Sequence, residues 1–102
     1  MTAAVGSEYV AECFWPGVNE RDLNAMDVRA AVAAKQLASK GRAVRYLGSL
    51  LFQEDEVVLC MFVGEEPAVR EAAGAARIPF DRIVASARSP RALAAKGEEG
   101  KR

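Results

Sequence analysis

Val57-Val58-Leu59-Cys60-Met61-Phe62-Val63 is the stretch on which the fold turns. Every residue in it is apolar and most are β-prone, so it reads as a strand. Successive side chains of a strand point to opposite faces of the sheet. Val57, Leu59, Met61 and Val63 therefore share one face, and Val58, Cys60 and Phe62 share the other. An antiparallel sheet with one wet face alternates apolar with polar residues. This strand does not, so both faces of its sheet are expected to be covered.

Working outward, Glu54-Asp55-Glu56 is short and polar, and Val44 to Gln53 before it is a second strand, so the two form a hairpin. Nearer the N-terminus, Tyr9 to Trp15 is rich in aromatic and β-prone residues and stops at Pro16-Gly17, which predicts a first strand. Asn19 is an N-cap, with Glu20 and Asp22 at the positive end of the helix dipole. Leu23, Met26, Ala30, Ala33, Ala34 and Leu37 recur at helical spacing, and Gly41 ends the pattern, so Glu20 to Lys40 is a helix with a stripe made mostly of alanine. On the C-terminal side, Glu66 to Ala76 is a second helix with Pro67 in its first turn. Ile78-Pro79 breaks it. Asp81 to Arg88 is a last strand, with Ile83, Ala85 and Ala87 alternating against Arg82, Val84 and Ser86.

The order βαββαβ predicts an α+β, ferredoxin-like domain over residues 8–88: a four-stranded antiparallel sheet with two helices on one face. Residues 1–7 and 89–102 read as flexible tails, the second with a short helical turn near Leu93. Helices cover only one face in this arrangement. A second copy of the same sheet is the simplest cover for the other, which predicts a homodimer of the dimeric α+β barrel type.

The composition narrows the function. The 102 residues are 51% apolar and 27% charged, which suits one globular domain. Basic and acidic side chains number 14 each, and no basic run exceeds two residues, so the footprint of a nucleic-acid binder is missing. No apolar stretch approaches the ~20 residues that span a bilayer. Met1 to Ser7 does not read as a signal peptide, so a cytoplasmic location with Cys13 and Cys60 reduced is expected. There is no histidine, the commonest metal ligand and general base.

Glu12 with Phe14-Trp15-Pro16-Gly17, Val44-Arg45-Tyr46-Leu47-Gly48-Ser49, Glu54-Asp55-Glu56, Cys60-Met61-Phe62, Val69-Arg70-Glu71-Ala72 and Ile78-Pro79-Phe80-Asp81-Arg82-Ile83-Val84 together resemble, in order and spacing, the bacterial nickel-binding-protein-like family. This is a small family long catalogued as a domain of unknown function. The resemblance implies a ferredoxin-like fold, a homodimer and nickel binding. The family often has an arginine after the first-strand glutamate, where Cys13 stands here. Without histidine, a metal would fall to Cys13, Cys60, Glu12 or surface carboxylates.

The residues themselves leave alternatives open. Glu12 lies among apolar neighbours; with Arg45 or Arg82, Tyr46 and Cys60 it makes an acid–base or ligand pocket, or else it is an ion-paired structural residue at a sheet edge or dimer rim. Cys60 and Cys13 are reactive thiols or small buried apolar groups. Tyr46 orients a ligand or locks helix to sheet. Glu54-Asp55-Glu56 is a loose cation site or a solvated hairpin tip. Trp15 is a ligand lid or a core anchor. Three functions follow: a homodimer that binds a small ligand or nickel; an enzyme without an organic cofactor (an isomerase, cyclase or monooxygenase-like catalyst) with Glu12 moving the proton and Arg45 or Tyr46 stabilising negative charge; and a structural or regulatory dimer without a pocket.

Overall fold

The structure, a computed structural model, describes residues 7–87. Its elements follow the expected order: β1 (Ser7–Phe14), α1 (Glu20–Ala38), β2 (Val44–Phe52), β3 (Val57–Gly64), α2 (Glu66–Ala75) and β4 (Arg82–Ser86). The four strands form one antiparallel sheet in the order β2-β3-β1-β4, and the arrangement is ferredoxin-like. The element ends differ from the sequence reading by a few residues, the largest differences being the later start of β1 and the longer β4 read from sequence. Of the tails read at 1–7 and 89–102, residues 1–6 and all of the second, with the turn near Leu93, lie outside the described residues, as does Arg88 at the end of the strand read over 81–88; Ser7 already belongs to β1.

Local chemistry explains the helix ends. The Asn19 side chain accepts the Asp22 amide at 2.8 Å, satisfying one of the orphan donors of α1. At the other end the Gly41 amide reaches the Ala38 carbonyl and the Arg42 amide reaches that of Leu37. Arg29 leaves α1 to donate to the Ala76 carbonyl at 2.7 Å, satisfying an acceptor at the end of α2 and tying the two helices.

The core lies between helices and sheet. Met26, Ala30, Ala33, Ala34 and Leu37 of α1 and Ala68, Val69, Ala72 and Ala73 of α2 are buried against the inner face of the sheet. That face reads across the strands in rows: Leu51–Val58–Cys13, Ser49–Cys60–Ala11–Ile83 and Tyr46–Phe62–Tyr9–Ala85. Alanine on the helices lets them lie close, and Phe62, with no exposed surface, fills the space. Gly64 allows the tightest approach. A Cβ there would stand 2.1 Å from the Ala43 carbonyl oxygen, and its φ of +148° is one that side-chain-bearing residues rarely adopt.

The outer face is apolar as read. Its rows are Phe52–Val57–Phe14, Leu50–Leu59–Glu12–Arg82 and Gly48–Met61–Val10–Val84. Phe14, Leu50 and Phe52 are 59, 49 and 47% exposed. Both helices pack on the other side, and among the described residues nothing covers this one.

Candidate functional site

Tyr46 and Ser49 are three residues apart, a spacing that sends side chains to opposite faces of a regular strand. Here the pairing slips between Tyr46 and Gly48: Tyr46 faces Phe62, Gly48 faces Met61 and Ser49 faces Cys60. Leu47 is the extra residue of a β-bulge. Gly48, at φ +127°, takes a backbone conformation that other residues rarely adopt. The bulge turns Tyr46 and Ser49 to the same inner face, toward α1.

Asp27 meets them there. One oxygen of its carboxylate, Oδ1, accepts the Tyr46 hydroxyl at 2.5 Å and the Ser49 hydroxyl at 2.8 Å. All three side chains are half-buried. The Tyr46 ring is tilted 57° to Phe62 with centroids 4.9 Å apart, a favourable aromatic geometry. Burial first, and then the bond to Asp27, hold the Tyr46 hydroxyl above the ordinary tyrosine range. Tyr46 is thus a fixed donor to Asp27 and a poor source of phenolate.

The thiols lie beneath this cluster. Cys60 is fully buried, with its sulfur 3.6 Å from that of Met26. The neighbouring Cys13 thiol, and then burial, push its pKa up. Cys60 therefore sits as a protonated, apolar filler. Cys13 is equally buried, and its sulfur points back to the Ala11 carbonyl.

Tyr46 also lines a groove of about 550 Å³ between α1 and the edge strand β2. Val28, Ala31, Val32, Ala34, Lys35 and Ala38 line one side, and Val44, Arg45 and Tyr46 the other. The lining is almost wholly aliphatic, and among the described residues its charged members are Lys35 and Arg45.

The residues singled out from sequence are divided by the sheet. Tyr46, Cys60 and Cys13 face the helices. Glu12 and Arg82 stand side by side on the outer face, with Arg82 Nε 2.7 Å from one carboxylate oxygen of Glu12 and Nη2 3.4 Å from the other. That bond raises the already high pKa of Arg82. Glu12 does lie opposite Leu59, as strand adjacency implied, but strand parity puts it on the opposite face from Cys60, which pairs with Ala11. One pocket walled by Glu12, Tyr46 and Cys60 is not formed. Arg45, opposite Val63, is exposed at the end of the groove.

The hairpin tip has a local task. The Glu56 carboxylate accepts the Gly17 amide at 2.9 Å and its carbonyl accepts the Trp15 amide at 2.8 Å, so the turn clamps the loop before α1. The Phe14 amide is held in turn by Asp81 at 2.7 Å. Trp15 packs half-buried against the core. Among the described residues, no three Cys, Asp or Glu side chains stand together as a group that could hold a metal ion.

Asp27 and Ser49 were missed by sequence reading. The signals were present: a carboxylate beside the buried Met26 of an apolar helix, and a glycine in the middle of a strand, which marks a bulge.

No protein-family model and no curated protein matches the chain. Among solved structures, it is similar to that of SCO4226 from Streptomyces coelicolor A3(2), with a TM-score of 0.62 and 16% sequence identity over 81% of this chain and 99% of that one. At that identity the likeness is one of fold. No helix among the described residues is long and apolar enough to cross a membrane.

Proposed function

We propose that the chain is a homodimeric small-ligand-binding protein, joined through the outer face of its sheet and holding its ligand between α1 and β2. The groove carries the ligand half of this reading. Its volume, about 550 Å³, is in the usual range for small-molecule sites, and its apolar lining with a few polar groups is their usual chemistry. The bulge supports it too, because bulges re-aim side chains beside functional sites, and here one brings Ser49 to the face of Tyr46, which lines the groove.

The outer face supports the dimer. Phe14, Leu50, Leu59, Met61 and Phe52 share one apolar face on which Phe14, Leu50 and Phe52 are about half exposed, the kind of surface that marks an interaction site. The face also carries both charge signs in the Glu12–Arg82 pair, so it can complement itself about a two-fold axis. The metal part of the expectation has no donor set behind it and is not carried into the proposal.

Each half has its own test. Sedimentation velocity at micromolar concentration should give twice the chain mass, and Leu59→Glu should give a monomer with an unchanged circular dichroism spectrum. A wild-type monomer refutes the dimer. The neutral fluorophore N-phenyl-1-naphthylamine should bind saturably, once per chain, and Val32→Asp should abolish binding. Unsaturable binding, or binding that survives Val32→Asp, refutes the groove as the site.

A further inference from the structure

Taking the groove as a ligand site, we infer that it accepts an amphiphilic anion: an aliphatic chain lies along α1 and an acidic head sits at Lys35 and Arg45. The aliphatic wall is the first ground. Val28 and Val32, one helical turn apart, are 63 and 47% exposed on a face of α1 that a helix in water would make polar. Ala31 and Ala34 beside them leave room for a chain to lie against the helix.

The charges are the second ground. Both charged side chains of the groove are cations, and no acidic residue lines it among the described residues. Neither Lys35 nor Arg45 has a carboxylate partner among the described residues, whereas Arg42, Arg70 and Arg82 are paired with Glu71, Glu66 and Glu12. Arg45 offers a planar fork that fits a carboxylate, and Lys35 offers a point charge. Asp27, the acid bonded to Tyr46 of the groove wall, is not part of the lining, and one of its oxygens is already engaged by Tyr46 and Ser49. A head group at Lys35 and Arg45 is therefore attracted, while a neutral chain of the same length has only the aliphatic wall.

Titration calorimetry with octanoate and octan-1-ol on the full chain separates these cases. Octanoate should bind once per chain at least about tenfold tighter than octan-1-ol. Arg45→Met and Lys35→Met, both at exposed positions, should each weaken octanoate several-fold, leave octan-1-ol unchanged, and reduce the salt dependence of octanoate binding. Equal affinity for the two probes overturns the anion inference and leaves the ligand-binding reading standing. Binding of neither probe overturns both. Octanoate binding that persists in Val32→Asp places the anion elsewhere. A change in oligomeric mass on Val32→Asp assigns the groove to a second copy of the chain, and either result also overturns the inference.

Discussion

On the inner face of the sheet, Val58, Cys60 and Phe62 meet the helices and lose all exposure to water; on the outer face, Val57, Leu59, Met61 and Val63 of the same strand stay partly exposed. The two sets have much the same hydrophobicity. What separates them is the supply of covering elements: each helix buries one apolar stripe, and both buried stripes go to the same side. The polar groups are divided as well. On the inner side Asp27, Tyr46 and Ser49 form a half-buried network in which each member satisfies another. On the outer side Glu12 and Arg82 form a pair with Arg82 largely in water. Hydrophobic residues make a buried core only where something covers them, and polar residues acquire structural weight only where water is excluded.

The largest effect should come from the filled side. Phe62→Ala removes a fully buried ring next to Tyr46 and should cost about 3–5 kcal/mol in urea unfolding. A cost below about 1 kcal/mol would mean that the inner face repacks freely, and the contrast between the faces would fail.

The network comes next. Asp27→Ala leaves two half-buried hydroxyls without their acceptor and should cost about 1–3 kcal/mol, at the lower end because water reaches the site. The same network predicts a pH effect. The Tyr46 proton is held more tightly in the folded chain than in the unfolded one. Its contribution is therefore fully present below about pH 10, the free tyrosine value, and falls as pH rises past it, because the unfolded chain loses that proton first. In Tyr46→Phe the alkaline fall in the unfolding midpoint should be shallower than in wild type. Parallel slopes would remove Asp27 and burial as its cause.

The smallest effect belongs to the outer pair. In a Phe52→Glu background, which keeps the outer face in water with its new charge in a different row from Glu12, Glu12→Gln should change stability by less than about 1 kcal/mol despite the 2.7 Å contact, because exposed ion pairs contribute little. A loss above about 2 kcal/mol would show the pair to be shielded there, and the faces would be more alike than their exposure indicates.

The fold was legible because its signals are local. Asn19, Gly41, Pro67 and the alternating or continuous apolar runs mark each element within a few residues of its observed bounds. The site was legible only in part. Tyr46 was singled out and does line the groove, but it was grouped with Glu12, whose side of the sheet depends on the register of β1 against β3 and not on its apolar neighbours. Asp27 was passed over, because its partners lie 19 and 22 residues further along the chain.

By itself, then, the sequence determined the element order and the two apolar faces of β3, since a strand's period of two is written in consecutive residues and survives any register. The tertiary structure decided which side chains share a face. The slip at Leu47, made against β3 and permitted by Gly48, reverses the parity of the rest of β2. Ser49 thereby joins Tyr46 beneath Asp27, while the fixed parity of β1 keeps Glu12 on the other side. Register is a property of two strands paired together, so neither result is contained in any single stretch of the chain.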